Sequence, residues 1–294
     1  MAALPLPTAS VLPVPIRLPH VTRILVPIDF SEASMSALER AIDIAKIYRS
    51  SLVLVHVMAQ QTANGMATIL PGALLRMEID LEDDLDHLRK MAVDRGVASI
   101  ALLRKGPVLE NVREILSREA IDLLVLATHG GRSIHGVFLG STAERLIRCT
   151  TVPVLTVGAA RNQPDWDEKG ARHILFAGNF APETICGLSL ALGIEQTAGA
   201  RLSVVQVVPP GTKPETTRDI RQKIESVVPP GTDIHIPEGP VGRTVCQLAR
   251  SLGTGLIALG VHRNTITREF FGTGLLEILL NAPCPVLSVR QCDK

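Results

Sequence analysis

An internal duplication constrains this chain more than any other feature of its sequence. The segment Arg23–Phe30 (RILVPIDF) is echoed by His173–Phe180 (HILFAGNF), with Ile174 standing 150 positions after Ile24. Ser51–Val57 is echoed by Arg201–Val207 at the same spacing. Gly106-Pro107-Val108 then matches Gly239-Pro240-Val241 at 133, and Pro153–Val157 (PVLTV) matches Pro285–Val289 (PVLSV) at 132. Four blocks in one order mean two copies of one unit. The fall in spacing from 150 to 133 says that the second copy lacks about 17 residues after its second strand, and one more near its last loop.

Each copy alternates strand and helix patterns. Residues 23–28 form a short apolar run, as expected of a strand covered on both faces. Ser31 can cap a helix whose apolar stripe is Leu38, Ala41, Ile42 and Ala45. A strand at 51–57 and a loop at about 58–73 lead to a helix at about 74–95, whose acidic stretch from Glu78 to Asp86 reads as a solvated face. Ser99–Leu103 is a third strand. Pro107 suits the first position of a helix with Val108, Val112, Ile115 and Leu116 on its buried side. Ile121–Ala127 is a fourth strand. A glycine-rich loop, a helix at about 142–149 and a strand Val152–Val157 complete the copy. Such alternation predicts a parallel sheet with helices on both faces, twice over. The expected layout is an extended Pro-rich leader at 1–21, a first domain at 22–158, a polar linker at 159–171 and a shorter second domain at 172–290.

Composition narrows the function classes. Hydrophobic residues are 46% and charged residues 20% of the chain, ample for a core. Aromatic residues are 3% and the net charge is +1, which argues against stacked single-stranded nucleic acid, DNA or an anionic membrane as partner. The five cysteines (Cys149, Cys186, Cys246, Cys284, Cys292) form no C-x-x-C pair and read as free thiols of a reducing compartment. Prolines 5, 7, 13, 15 and 19 exclude a helical signal core, and no apolar run reaches the roughly 20 residues of a membrane span. The expectation is a soluble, cytoplasmic protein.

Open parallel sheets bind ligands beyond the carboxyl ends of their strands, where the strand order reverses. Two segments of the first copy meet that description: Pro27-Ile28-Asp29, and the loop from Thr128 to Ser141. Glycines let backbone N–H groups approach an anion, and Gly140-Ser141 opens a helix whose N-terminus favours phosphate. Ser141-Thr-Ala-Glu144 reads as a capping box with Ser141 as N-cap.

These segments resemble the universal stress protein family, through Val26–Ser31, Leu126–Gly130, Leu139–Glu144 and Val152–Val157. The resemblance covers the first copy at about 22–158 and the second at about 172–290, so the whole chain is similar to a tandem universal stress protein. It implies an α/β fold of two tandem doubly wound parallel-sheet domains, Rossmann-like and similar to adenine nucleotide alpha hydrolases. It also implies ATP, with Mg²⁺ as a candidate companion. ATP-binding members carry G-x2-G-x9-G-[S/T]; here the positions are Ala127, Gly130, Gly140 and Ser141, the first glycine being replaced by alanine. By resemblance, Pro27, Ile28 and Asp29 form the strand-one tip, with Asp29 accepting from ribose hydroxyls. The Val57 backbone meets the adenine edge, and Gly130, Gly140, Ser141 and Thr142 hold phosphates. The edge strand at 153–157, through which members dimerise, is expected to pair with 285–289 inside the chain, with a homodimer through other faces as a further expectation.

The second copy departs at each of these places. Asn179 stands for Asp29, Ala177 for Pro27 and Arg263 for Gly130, and the loop to Gly272-Thr273 is one residue shorter. It is expected to bind ATP poorly or not at all, although Arg263 or Arg268 could meet another anion. Blander roles stand beside these: Asp29 as a charge steadying the next helix, Ser141 as a plain cap, Gly130 and Gly140 as turn residues. His129 and His135 lack the partners of a metal site, and no catalytic constellation stands out. The readings that follow are a nucleotide-responsive stress module, a nucleotide-independent stress scaffold with a lapsed site, or a slow ATPase.

Overall fold

The computed structural model describes residues 21–58, 71–128, 139–158, 166, 170–181, 185–261 and 273–290. In the front half the elements are β1 (Arg23–Pro27), α1 (Glu32–Tyr48), β2 (Ser51–Met58), α2 (Pro71–Asp94), β3 (Ser99–Lys105), α3 (Val108–Arg118), β4 (Leu123–Ala127), α4 (Ser141–Cys149) and β5 (Val154–Val157). In the rear half they are β6 (His173–Ala177), α5 (Ile185–Ala198), β7 (Arg201–Val205), α6 (Pro214–Glu225), β8 (Asp233–His235), α7 (Val241–Ser251), β9 (Leu256–Val261), α8 (Thr273–Asn281) and β10 (Val286–Arg290). The residues missing from the second copy show as a shorter helix: α6 has 12 residues where α2 has 24.

All ten strands join one sheet in the order β3-β2-β1-β4-β5-β10-β9-β6-β7-β8. Pairing is parallel within each half, as burial on both faces of runs such as Ile24–Val26 and His173–Ala177 requires. Among the described residues the single antiparallel pair is β5 with β10, Leu155 opposite Leu287 and Thr156 opposite Val286. The intrachain pairing expected of 153–157 and 285–289 is therefore observed, and Thr156 Oγ1 reinforces it by donating to Val286 O at 3.2 Å. An exposed strand edge invites another strand; in this chain each half covers the other's.

One core lies on each face. Buried residues of α1, α2, α5 and α6 pack on one side across both halves, with Leu155 and Leu287 among them; residues of α3, α4, α7 and α8 pack on the other. Gly187 brings α5 down on β9, since a Cβ there would lie 2.7 Å from Gly260 N. The linker is more than a polar spacer. Trp166 Nε1 donates to Gly255 O of the rear half at 3.0 Å, and Arg40 of α1 lies over its ring at 4.6 Å.

Two local readings are corrected. Pro107 is the N-cap of α3 (φ −68°, ψ 128°) rather than its first residue, an extended conformation that its ring-fixed φ allows. The strands at 121–127 and 152–157 begin two residues later than their apolar runs, at Leu123 and Val154; before the first of them Asp122 accepts from Thr22 N and Arg23 N at 2.7 and 3.0 Å. The leader at 1–20 lies outside the described residues. No described helix is long and apolar enough to cross a membrane.

Candidate functional site

The site begins at the tip of β1. Pro27 pairs with Val55, and Ile28 continues the ladder by donating its N–H to Val55 O at 2.8 Å. The Ile28 carbonyl meets His56 Nδ1 at 2.7 Å, and the His56 ring lies 5.0 Å from that of Phe30. Phe30 then takes a left-handed conformation (φ 60°), which bends the chain from strand into α1 and leaves Asp29 exposed at the edge. Phe180 repeats this in the rear half at φ 53°. A bulky residue at positive φ is held only when its surroundings over-determine it, and such positions gather at functional sites.

Asp29 also serves the blander role. Its Oδ1 accepts from Ser31 N–H at 3.1 Å and from the Ser31 hydroxyl at 2.5 Å, while Ser31 Oγ caps α1 by accepting from Ser34 N–H at 3.2 Å. The carboxylate thus fixes the cap and stands in the positive field of the helix N-terminus.

The second component is the return from β4. Because β1 pairs with β4 (Ile24 opposite Leu123, Leu25 opposite Leu124) and also with β2, the order reverses at β1. Ala127 ends β4 opposite Val157. Thr128 follows it, buried, donating its N–H to Val157 O at 3.0 Å and accepting from Gly140 N–H at 2.9 Å. That bond closes the base of the loop at 129–138, so α4 starts beside the strand tips. Gly130, with His129 and His135, falls outside the described residues. Val57, half-buried on β2 opposite Arg104, is two residues beyond Val55 on the same edge.

The start of α4 differs from expectation. Gly140, not Ser141, is the N-cap (φ −57°, ψ 137°), and a glycine brings no side chain of its own to cap the helix. Ser141 is the first helical residue, one position too far along for its hydroxyl to reach the third amide, so the capping box does not form. Glu144 pairs instead with Arg148 at 2.7 Å. The first-turn amides therefore receive no bond from an N-cap side chain, and Ser141 and Thr142 stand exposed beside them. That arrangement suits an anion.

Sequence reasoning gave no role to two contributors, Thr128 (named only as the start of the loop) and His56. Thr128 and His56 hold the backbone of the two strand tips, and their only signal was position, each one residue beyond or near the end of an apolar run. In the rear half, Asn179 Oδ1 accepts from Ala181 N–H at 3.1 Å, an echo of the Asp29 contact without the charge. Arg263, Arg268 and Gly272 lie outside the described residues. Among the described residues no group of three His, Cys, Asp or Glu side chains could hold a metal ion, and Cys149, Cys246 and Cys284 are free thiols.

The geometry agrees with comparison to known proteins. Residues 20–158 match the universal stress protein family. A universal stress protein of Methanocaldococcus jannaschii is 28% identical over 137 residues, covering 46% of this chain and 81% of that protein. Two solved structures extend over both halves. A universal stress protein of Archaeoglobus fulgidus covers 92% of this chain and 99% of its own at 17% identity (TM-score 0.69). A functionally unknown protein of Pseudomonas aeruginosa covers 92% of each at 20% identity (TM-score 0.62). At those identities the likeness establishes the fold. By family match and by the α/β architecture of its strands, the front part of this chain, residues 20–158, is similar to a universal stress protein domain.

Proposed function

We propose that the front half binds one adenine nucleotide, ATP, at the carboxyl edge of β2, β1 and β4, and that the chain acts as a nucleotide-responsive stress module rather than as a catalyst. One observation carries this reading. The N-terminus of α4 opens at Gly140, a cap with no side chain of its own, tied by Thr128 to the same edge that displays the Asp29 carboxylate. Amides face where phosphates would lie, and an acidic acceptor faces where ribose hydroxyls would lie.

In this reading the Val57 backbone meets the adenine edge, and Pro27 and Ile28 shape the floor below it. Gly130, Gly140, Ser141 and Thr142 hold the phosphates. Ala127 packs its methyl group against the core on the α1 face of the sheet, while α4 packs on the other. With no cluster of three metal-ligating side chains among the described residues, a Mg²⁺ ion would be held chiefly by the phosphates. The rear half, a second domain of the same fold, has lost the charge at Asn179 and serves as the fixed partner across β5 and β10. Nucleotide then biases the surface of the loop at 129–138 toward a partner, through its differential affinity for the two states.

Calorimetric titration of the full chain with ATP tests the reading, together with Asp29→Ala. Saturable binding weakened by the substitution supports it. Binding that Asp29→Ala does not change would transfer the nucleotide elsewhere, and phosphate release on a turnover timescale would make the chain an ATPase.

A further inference from the structure

The rear half holds a cleft of its own at the corresponding edge, where β6 stands between β7 and β9. Its volume is about 400 Å³, inside the roughly 300–1,000 Å³ range of small-molecule sites. The walls are apolar, from Val205, Val207, Val241, Val245, Leu275 and Ile278. Its side-chain polar groups are two neutral amides, Asn179 and Gln206, and no described residue lining it is charged.

Two changes made this cleft unlike its counterpart. The first is at the helix mouths. Gly242 stands 133 positions after Leu109 and Gly274 stands 132 after Thr142, so both helices carry glycine where the front half has a side chain. A Cβ on Gly242 would lie 2.5 Å from Glu277 Cβ and 2.8 Å from Gly274 O, and one on Gly274 would lie 3.1 Å from Val241 Cβ. The glycines let α7 and α8 close together, and Thr142, exposed at the front, has no equivalent side chain. The second is at the floor. His56, which bonds the Ile28 carbonyl, is replaced by Gln206, whose backbone N–H donates to His235 O at 3.1 Å while its side-chain Oε1 is buried without a hydrogen-bond partner.

A buried acceptor without a donor destabilises the folded protein unless something supplies the donor. We infer that the rear cleft binds an uncharged, flat heteroaromatic molecule whose N–H or O–H group satisfies Gln206 while its ring system lies among Val207, Val241 and Leu275. Apolar walls favour the ring, the amides set its orientation, and the closed helix mouth disfavours a polyanion. This site stands independently of nucleotide binding at the front.

The test uses the full chain and two probes of one shape: indole, which carries an N–H donor, and benzothiophene, which does not. Both are titrated with ligand-observed magnetic resonance. The expected result is saturable indole binding, about tenfold or more tighter than benzothiophene, the ratio one lost hydrogen bond at a buried acceptor produces. Gln206→Leu brings indole down to the benzothiophene level and melts no lower than the parent chain, because it removes an unpartnered acceptor. Leu275→Trp, which fills the cleft, removes both probes, and millimolar ATP displaces neither. The inference is overturned if indole does not bind, if the two probes bind equally, if Gln206→Leu leaves indole affinity intact or lowers the melting temperature, or if ATP displaces indole from the parent chain. A front half that fails to bind ATP changes none of these readouts.

Discussion

Ser31 donates its hydroxyl to Asp29 Oδ1 at 2.5 Å and with the same oxygen accepts the Ser34 N–H at 3.2 Å. One short segment therefore joins the site's acidic group to the cap of α1, and a change at Asp29 has two consequences that a second substitution separates.

Asp29→Asn keeps an oxygen that can accept from Ser31, as Asn179 accepts from Ala181 in the rear half. It is expected to melt close to the parent chain yet lose ATP affinity by about tenfold or more, since a charge-assisted hydrogen bond to ribose contributes roughly 1.5–3 kcal/mol. Asp29→Ala loses that affinity and also about 0.5–2 kcal/mol of cap stability. Thermal melts and calorimetry on both variants read the two effects apart.

Ser141→Ala tests the register of α4. A true N-cap serine would cost about 1 kcal/mol on replacement. With Gly140 in that place and no side-chain cap, the expected stability change is within about 0.5 kcal/mol, as at an ordinary exposed position. ATP affinity should fall severalfold at the same time. A large loss of stability with ATP binding unchanged would make Ser141 a structural cap.

The repeat made the sheet legible. Two copies of one strand order, each ending in an edge strand, led to the β5–β10 junction, and Leu155 does face Leu287 there. Local patterning also identified the Ser31 cap. What escaped depends on single-residue register or on distant contacts. Whether Gly140 or Ser141 caps α4 turns on one residue of backbone, which periodicity does not resolve. Trp166 sits in a stretch without apolar period, and its partners Arg40 and Gly255 are far away in sequence. The closeness of Gly242 and Gly274 belongs to the packing of two helices and leaves no local trace.

Trp166, the only tryptophan, gives a direct probe of the junction. One core crosses both halves, so both are expected to unfold together. In a denaturant titration, Trp166 fluorescence and far-ultraviolet circular dichroism should give coincident transitions. Two separated transitions would mean that the halves are independently stable. Leu287→Ala, at a position 5% exposed in that core, should move both signals together by about 2–4 kcal/mol.

Cys246 and Cys284 are buried, and burial pushes their thiols up to about 11 and about 12 from an ordinary value of 9.0. Thiols raised in the folded state favour folding fully below pH 9, and that contribution falls as pH rises from 9 toward 11–12, because the unfolded chain releases those protons first. Stability should therefore decline over that alkaline range, and replacing both by Ala should flatten the decline. A thiol reagent at pH 8 should modify exposed Cys149 and spare both buried cysteines until the chain unfolds.

Counting bound nucleotide tests the central claim most directly. Equilibrium titration of the full chain with ATP should saturate at one molecule per chain, with the site lost in Asp29→Ala and kept in Leu275→Trp. Two molecules per chain, or one whose binding ignores Asp29 and vanishes with Leu275→Trp, would contradict the account.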